Sequence, residues 1–324
     1  MVQKEIVLIT GAAGFIGSHT CERMLQEGFY IVGIDNINDY YDVKLKRDNI
    51  KLLKEYDHFE FIEADIINYD ELNSIFTKHS FNNIIHIAAQ AGVRYSLENP
   101  FIYQEVNVGG TLNLLELARY HSCDNFIFAS SSSVYGNQKK VPFSEDDPIS
   151  KPISIYASTK LAGEALCYSY HHLYDININC LRFFTVYGPR GRPDMSPHIF
   201  TSKILQGLII ELYDDPSGTI KRDFTFIDDI VEGIIKAFKY KGGFEIFNLG
   251  FGKPIGLKYF LSILEDYIGK KAKLEYHPRQ PGDVDITYAD TSKAKQILGF
   301  EPKINVEEGI REYVSWFKQY YNFS

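Results

Sequence analysis

Cysteine is scarce. Four occur in 324 residues, Cys21, Cys123, Cys167 and Cys180, and no two stand in a C-x-x-C spacing. That excludes a disulfide frame and a cysteine zinc site, and no metal is expected. Long apolar runs are missing as well, so no stretch is suited to span a bilayer and no membrane partner is expected. Positive charge is in deficit: 34 Lys and Arg stand against 42 Asp and Glu, a formal net charge of −8. This argues against a nucleic-acid partner and against an anionic membrane surface. Repeats and low-complexity segments are absent. No apolar leader-like run stands between Met1 and Glu5, where the first strand begins. With the reduced cysteines, this sets the expectation of a cytoplasmic protein. What is present is a hydrophobic content of 45%, ordinary for a folded chain. The length has room for one large α/β unit and a smaller lobe.

The first motif is Val7-Leu8-Ile9-Thr10-Gly11-Ala12-Ala13-Gly14-Phe15-Ile16-Gly17. It reads as a buried strand, a tight glycine turn and a helix over 15–26. Such a turn lets backbone N–H groups approach a pyrophosphate at the positive end of the helix. The spacing is G-x-x-G-x-x-G, not the commoner G-x-G-x-x-G. A second strand, 30–35, ends in Asp35, 18 residues after Gly17. An acid at that distance reaches the adenosine ribose and favours NAD over NADP. Glycine turns and strand-end acids also occur in ordinary α/β loops; here the combination points to a dinucleotide site.

Further strands are expected at 59–65, 83–89, 125–130 and 176–184, with helices at about 69–79, 101–121 and 156–173. Near-continuous apolar strands alternating with helices predict a doubly wound, Rossmann-type parallel sheet covered on both faces. Ligands on such sheets bind beyond the carboxyl ends of the strands. The fourth strand ends in Ala88-Ala89-Gln90, small enough for a ligand to lie across the sheet edge. The following helix holds Asn107-Val108-Gly109-Gly110. Each glycine there costs about 1 kcal/mol against Ala, which close backbone packing would explain. Asn107 suits either an N-cap or a polar link between backbone and cofactor.

The fifth strand runs into four serines, Ser130 to Ser133. Tyr156 and Lys160 follow as i and i+4, on one helix face. A tyrosine of pKa ~10 is a poor base at neutral pH. A nearby ammonium and a nicotinamide cation would lower that value. Alone, Y-x-x-x-K is an ordinary solvated helix face; behind a nucleotide turn and a serine-rich strand end it reads as catalytic.

With these residues in place, the whole chain resembles an extended short-chain dehydrogenase/reductase. The stretch 181–195 (Leu-Arg-Phe-Phe-Thr-Val-Tyr-Gly-Pro-Arg-Gly-Arg-Pro-Asp-Met) and the loop 89–96 are similar to signatures of UDP-glucuronate 4-epimerases. The resemblance implies catalysis by Ser131, Tyr156 and Lys160. It implies NAD held by Gly11, Gly14, Phe15, Ile16, Gly17, Asp35, Asn36, Asp65, Ile66, Ala88, Ala89, Gln90 and Asn107, with Tyr156 and Lys160. It implies a UDP-sugar held by Arg94, Ser132, Ser133, Thr185, Arg192, Arg222, Arg279 and Asp283, with Arg192 on either a carboxylate or the diphosphate. Related 4,6-dehydratases carry an Asp-Glu pair, and related decarboxylases a Glu, where Ser132 and Ser133 stand, so elimination lacks its proton donor.

The implied division is a NAD-binding Rossmann domain at 1–184, with about 223–253 packing back on it. A smaller interleaved α/β nucleotide-sugar lobe takes 185–222 and 254–324. The expected reaction is 4-epimerisation of UDP-glucuronate and UDP-galacturonate through a transient 4-keto sugar. A UDP-galactose or UDP-N-acetylglucosamine 4-epimerase is the alternative, and a non-catalytic NAD-sensing protein is the alternative of another class. In this superfamily two helices per subunit, here about 101–121 and 156–173, commonly form a four-helix dimer interface, so a homodimer is expected. Leu112, Leu114, Leu115, Leu117, Leu161, Ala165, Leu166 and Tyr170 supply the expected apolar excess.

Overall fold

Strand β1 (Ile6–Thr10) is apolar on both faces, and each face meets a different core: Val7 and Ile9 enter one, Leu8 the other. All three are fully buried, worth about 1.5–3 kcal/mol apiece. This two-sided burial demands helices above and below the strand. The computed structural model, described here for residues 5–214, 218–278 and 284–323, shows that arrangement. Strands β2 (Tyr30–Asp35), β3 (Phe59–Glu63), β4 (Asn83–His86), β5 (Asn125–Ser131) and β6 (Asn177–Phe183) join β1 and the Phe244–Leu249 strand in a seven-stranded sheet. The order is Phe244–Leu249, β6, β5, β4, β1, β2, β3, and every pairing is parallel. Strand order reverses between β1 and β4, which opens a crevice at their carboxyl ends.

Helices α1 (Phe15–Gln26) and α3 (Tyr69–His79) lie where the periodicity puts them. Helix α2 (Val43–Leu53), which the sequence reading passes over, starts at Asp42, whose side chain accepts the Lys44 N–H. Strands β3 and β4 stop earlier than expected, at Glu63 and His86. The residues beyond turn into loops over the crevice.

The expected single helix at 101–121 is three pieces: Pro100–Tyr103, a π-helical turn Gln104–Gly110, and Thr111–Tyr120. A Cβ on Gly110 would sit 2.5 Å from Ile66 Cδ1, so close packing does account for that glycine. Gly109 has no such constraint; its nearest neighbour is 3.9 Å away.

Beyond β6 the chain leaves the main sheet and returns. Thr185–Tyr187 pairs with Phe224–Phe226, and Ile209–Leu212 pairs with Lys273–Tyr276. Lys221–Arg222 pairs with both Ile255–Gly256 and Ile286–Thr287. Helix Ile227–Lys239 packs back against α1, β5 and β6. Its Asp229 does not cap its own helix; it accepts the N–H groups of Lys303 and Ile304 at 2.8 and 3.0 Å.

Candidate active site

The crevice is a cleft of about 420 Å³, within the range of small-molecule sites. Gly11, at φ +73°, lies against the loop that follows β4: a Cβ there would come 2.8 Å from Ala88 N. A Cβ on Gly17 would come 1.9 Å from Gly11 O, so α1 can start this close to its own loop only with glycine. Gly14 is the N-cap of α1 and brings no side-chain cap. The first-turn N–H groups therefore lack a side-chain partner and face the cleft lined by Gly14, Phe15, Ile16 and Gly17.

At the far end, Asp35 accepts from Ala13 N at 3.1 Å and Ile37 N at 2.9 Å. Burial raises its pKa. Its two carboxylate oxygens keep further lone pairs for a hydroxyl. Asn36 donates to Asp65 at 2.7 Å, and Asp65, Ile66, Ala88, Ala89 and Gln90 complete this part of the lining. An uncapped glycine-rich helix start with two carboxylates beyond it fits the pyrophosphate and adenosine ribose of NAD.

Asn107 is buried inside the π-turn, off the cleft lining, and is not the N-cap of a helix. It clamps the Gln90 backbone from both sides, accepting from N at 2.7 Å and donating to O at 3.0 Å, and donates to Thr159 at 3.0 Å. His86 plays a similar part below the loop. Its ring joins Thr10 and Thr111 at 2.8 and 3.0 Å, and burial pulls its pKa down to about 3, so it is neutral.

Ser131, Ser132, Ser133, Tyr156 and Lys160 line the same cleft. Ser131 donates to Ser133 Oγ at 3.1 Å and accepts the Ser133 N–H at 3.2 Å. No carboxylate stands at Ser132 or Ser133. Burial raises the Tyr156 pKa, and the Ser131 hydroxyl and the Arg192 charge offset only part of that. Lys160 gives its ammonium to Ala129 O at 2.7 Å, and burial lowers its pKa to about 8.

Behind these residues lies a network that sequence reading missed. Arg182 on β6 forks onto Glu164, one turn beyond Lys160, with contacts of 2.9 and 2.8 Å. Ser130 donates to Glu164 at 2.5 Å, and Arg182 also donates to Tyr135, which donates to Asn248 at 2.7 Å. Lys46 on α2 is another omission: it lines the cleft and donates to Asn38 O and Oδ1 at 2.7 Å each. The Asp42 cap and the helical spacing of Leu45, Ile50 and Leu53 are the signals of its helix.

Thr185 and Arg192 reach the cleft from the returning segment. Arg94 lies off the lining, exposed, 5.2 Å over the Tyr213 ring. Arg222 also lies off it and donates to the Lys221 and Asp285 carbonyls at 2.9 and 3.2 Å. Arg279 and Asp283 lie outside the described residues.

The family model described as GDP-mannose 4,6 dehydratase matches residues 8–313. The chain belongs to this extended short-chain dehydrogenase/reductase family. It is 48% identical over 313 residues to a UDP-glucuronate 4-epimerase of Thermodesulfobacterium geofontis, covering 96% of both chains. It is 43% identical to UDP-glucuronate 4-epimerase 4 of Arabidopsis thaliana, over 98% of this chain and 76% of that one. A crystal structure of UDP-glucuronic acid 4-epimerase from Bacillus cereus with UDP-glucuronic acid and NAD superposes with a TM-score of 0.91 at 38% identity. That match covers 98% of this chain and 100% of the other.

Proposed function

We propose that the chain is an NAD-dependent 4-epimerase that interconverts UDP-glucuronate and UDP-galacturonate. The observation that carries this reading is one cleft holding Ser131, Tyr156 and Lys160 together with Thr185, Arg192 and a carboxylate-free Ser132–Ser133 pair. The likeness to UDP-glucuronate 4-epimerases supports it.

Tyr156 takes the proton of the sugar 4-hydroxyl, with Ser131 orienting that hydroxyl. NAD, when bound, would supply the acceptor for the hydride of carbon 4 and its return to the opposite face. Gly11, Gly14, Phe15, Ile16, Gly17, Asp35, Asn36, Asp65, Ile66, Ala88, Ala89 and Gln90 hold it, and Lys160 steadies its nicotinamide ribose. Asn107 acts through the Gln90 loop. Ser132, Ser133 and Thr185 hold the sugar carboxylate by hydrogen bonds, and Arg192 holds either that group or the diphosphate. The 4-keto sugar is a β-keto acid and loses carbon dioxide fastest with the carboxylate perpendicular to the ketone plane. Holding the carboxylate away from that geometry keeps the reaction an epimerisation. Arg94, Arg222, Arg279 and Asp283 are assigned to the UDP-sugar by resemblance.

We divide the chain as the sequence suggests, with 1–184 and about 223–253 holding NAD and 185–222 and 254–324 holding the nucleotide sugar. We place it in the cytoplasm; no helix among the described residues is long and apolar enough to cross a membrane. A homodimer through the helices at 100–120 and 155–174 rests on fewer residues than expected. Leu114, Leu115, Leu117 and Tyr170 serve the chain's own core. Leu112 is exposed as expected, and Phe101, Tyr120, Tyr168 and Leu173 are exposed on those elements besides.

A panel of UDP-sugars tests the reaction. UDP-glucuronate and UDP-galacturonate should interconvert without stoichiometric carbon dioxide, and UDP-glucose far more slowly. Ready conversion of UDP-glucose with UDP-glucuronate ignored would sink the carboxylate assignment and leave a neutral-sugar epimerase.

A further inference from the structure

Arg192 does not enter the cleft unaccompanied. Its Nε and Nη2 donate to the two oxygens of Asp194 at 2.9 and 2.5 Å. The pair is largely sheltered, with side chains 20% and 30% exposed. A second group reaches the same carboxylate from the other half of the molecule. Tyr40, in the loop between β2 and α2, donates its hydroxyl to Asp194 Oδ2 at 3.2 Å. Its ring lies 5.9 Å from the Arg192 guanidinium and itself lines the cleft. The Tyr40 hydroxyl is confined from a third side: Gly92, at φ +101°, would place a Cβ 2.5 Å from it. Tyr40 also packs on Tyr95 with ring centroids 5.1 Å apart. The row continues through Tyr103 to Tyr156 at centroid spacings of 6.2 Å each.

A guanidinium offers five N–H donors on a rigid plane. Asp194 takes the Nε/Nη2 edge, and the hydrogen bonds among the described residues leave the Nη1 edge without an acceptor. One edge is anchored and the other is free to meet an anion. We propose that Asp194, steadied by Tyr40, is a positioning residue: it fixes the plane of Arg192 so that the opposite edge meets an anionic group of the bound UDP-sugar. This deepens the epimerase reading and rests on it for the substrate. The contact also joins the loop after β2 to the returning segment, so both halves of the cleft set the direction of one cation.

Double-mutant cycles on the NAD-loaded enzyme test this. Asp194→Ala should lower kcat/KM for UDP-glucuronate by about 10- to 100-fold, the scale of losing a hydrogen bond to a charged group, with bound NAD unchanged. Tyr40→Phe should lower it by about 3-fold, and the double variant should be no worse than Asp194→Ala alone. In an Arg192→Ala background, Asp194→Ala should cost nothing more, an outcome that a merely structural Asp194 would not give. Calorimetry with UDP-glucuronate and with UDP distinguishes the anion. Loss for UDP-glucuronate alone identifies the sugar carboxylate, and equal loss for UDP identifies the diphosphate; both support the positioning role. Unchanged or tighter binding in Asp194→Ala, or a full Asp194→Ala penalty without Arg192, overturns it. Because UDP binding needs no turnover, failure of the epimerase reading is seen separately, as wild-type enzyme inactive on UDP-glucuronate.

Discussion

The Arg182–Glu164 pair should make the fold pH-sensitive when one partner is removed, with different outcomes for the two partners. The side chains are 1% and 4% exposed. Arg182 spends two donors on Glu164 and one on Tyr135, while Ser130 also leans on Glu164. Removing one member of such a buried pair costs about 3–5 kcal/mol, because the other charge is left uncompensated. In Glu164→Gln the stranded group is a guanidinium, which cannot shed its proton, so the loss should be nearly independent of pH. In Arg182→Met the stranded group is a carboxylate, which can be neutralised. The folded variant then keeps a proton that the unfolded chain releases near pH 4.3. The native state binds more protons, so stability falls as pH rises, by about 1.4 kcal/mol per unit. The added loss relative to wild type therefore grows with pH until the stranded carboxylate ionises. Urea unfolding of the three proteins at pH 5 and pH 7 measures it. An Arg182→Met penalty that is flat with pH, or below about 1 kcal/mol, would refute the claim that an uncompensated charge is what costs.

Tyr156→Phe should fold and hold NAD yet lose about 10²–10⁴-fold in turnover, since the proton acceptor is gone; near-normal kcat would remove Tyr156 from the chemistry. His86 is neutral in the fold, with its pKa about 3 against an ordinary 6.5. A folded-state value below the unfolded one means stability drains as pH falls from 6.5 toward 3. His86→Asn should flatten that part of the stability–pH curve, and an unaltered slope would count against the assignment. Gly17→Ala should abolish NAD retention, because its Cβ would overlap Gly11 O; a variant that purifies with full NAD would show that the loop gives way. Sedimentation should find a dimer that Phe101→Glu weakens; a concentration-independent monomer excludes the helix interface.

The fold was largely legible because its signals are local. A buried parallel strand must be apolar on both faces, and 30–35, 83–86 and 125–131 are. Strand ends were less legible, since what stops β4 at His86 is the loop that Asn107 clamps from another element. The break in the helix at 101–121 was half visible. Gly109-Gly110 announced an irregularity, but the Ile66 side chain that requires it comes from beyond β3. Helix α2 was legible too, from its Asp42 cap and the helical spacing of Leu45, Ile50 and Leu53.

The same division runs through the site. The glycine turn, the strand-end Asp35 and Tyr156 with Lys160 are each complete within a few residues, so sequence order preserves them. The groups that set their direction and charge are not. Glu164 lies within a turn of Lys160, but its meaning comes from Arg182 on β6 and Ser130 on β5, partners that only the folded sheet brings together. Arg192 was legible as a cation near the sugar, yet which edge of it is available depends on Asp194 and on Tyr40, far away in sequence. Chemistry carried by one side chain can be read from the chain. Orientation, which takes three or four side chains from separate elements, is a property of the packing, and a catalytic cleft needs both.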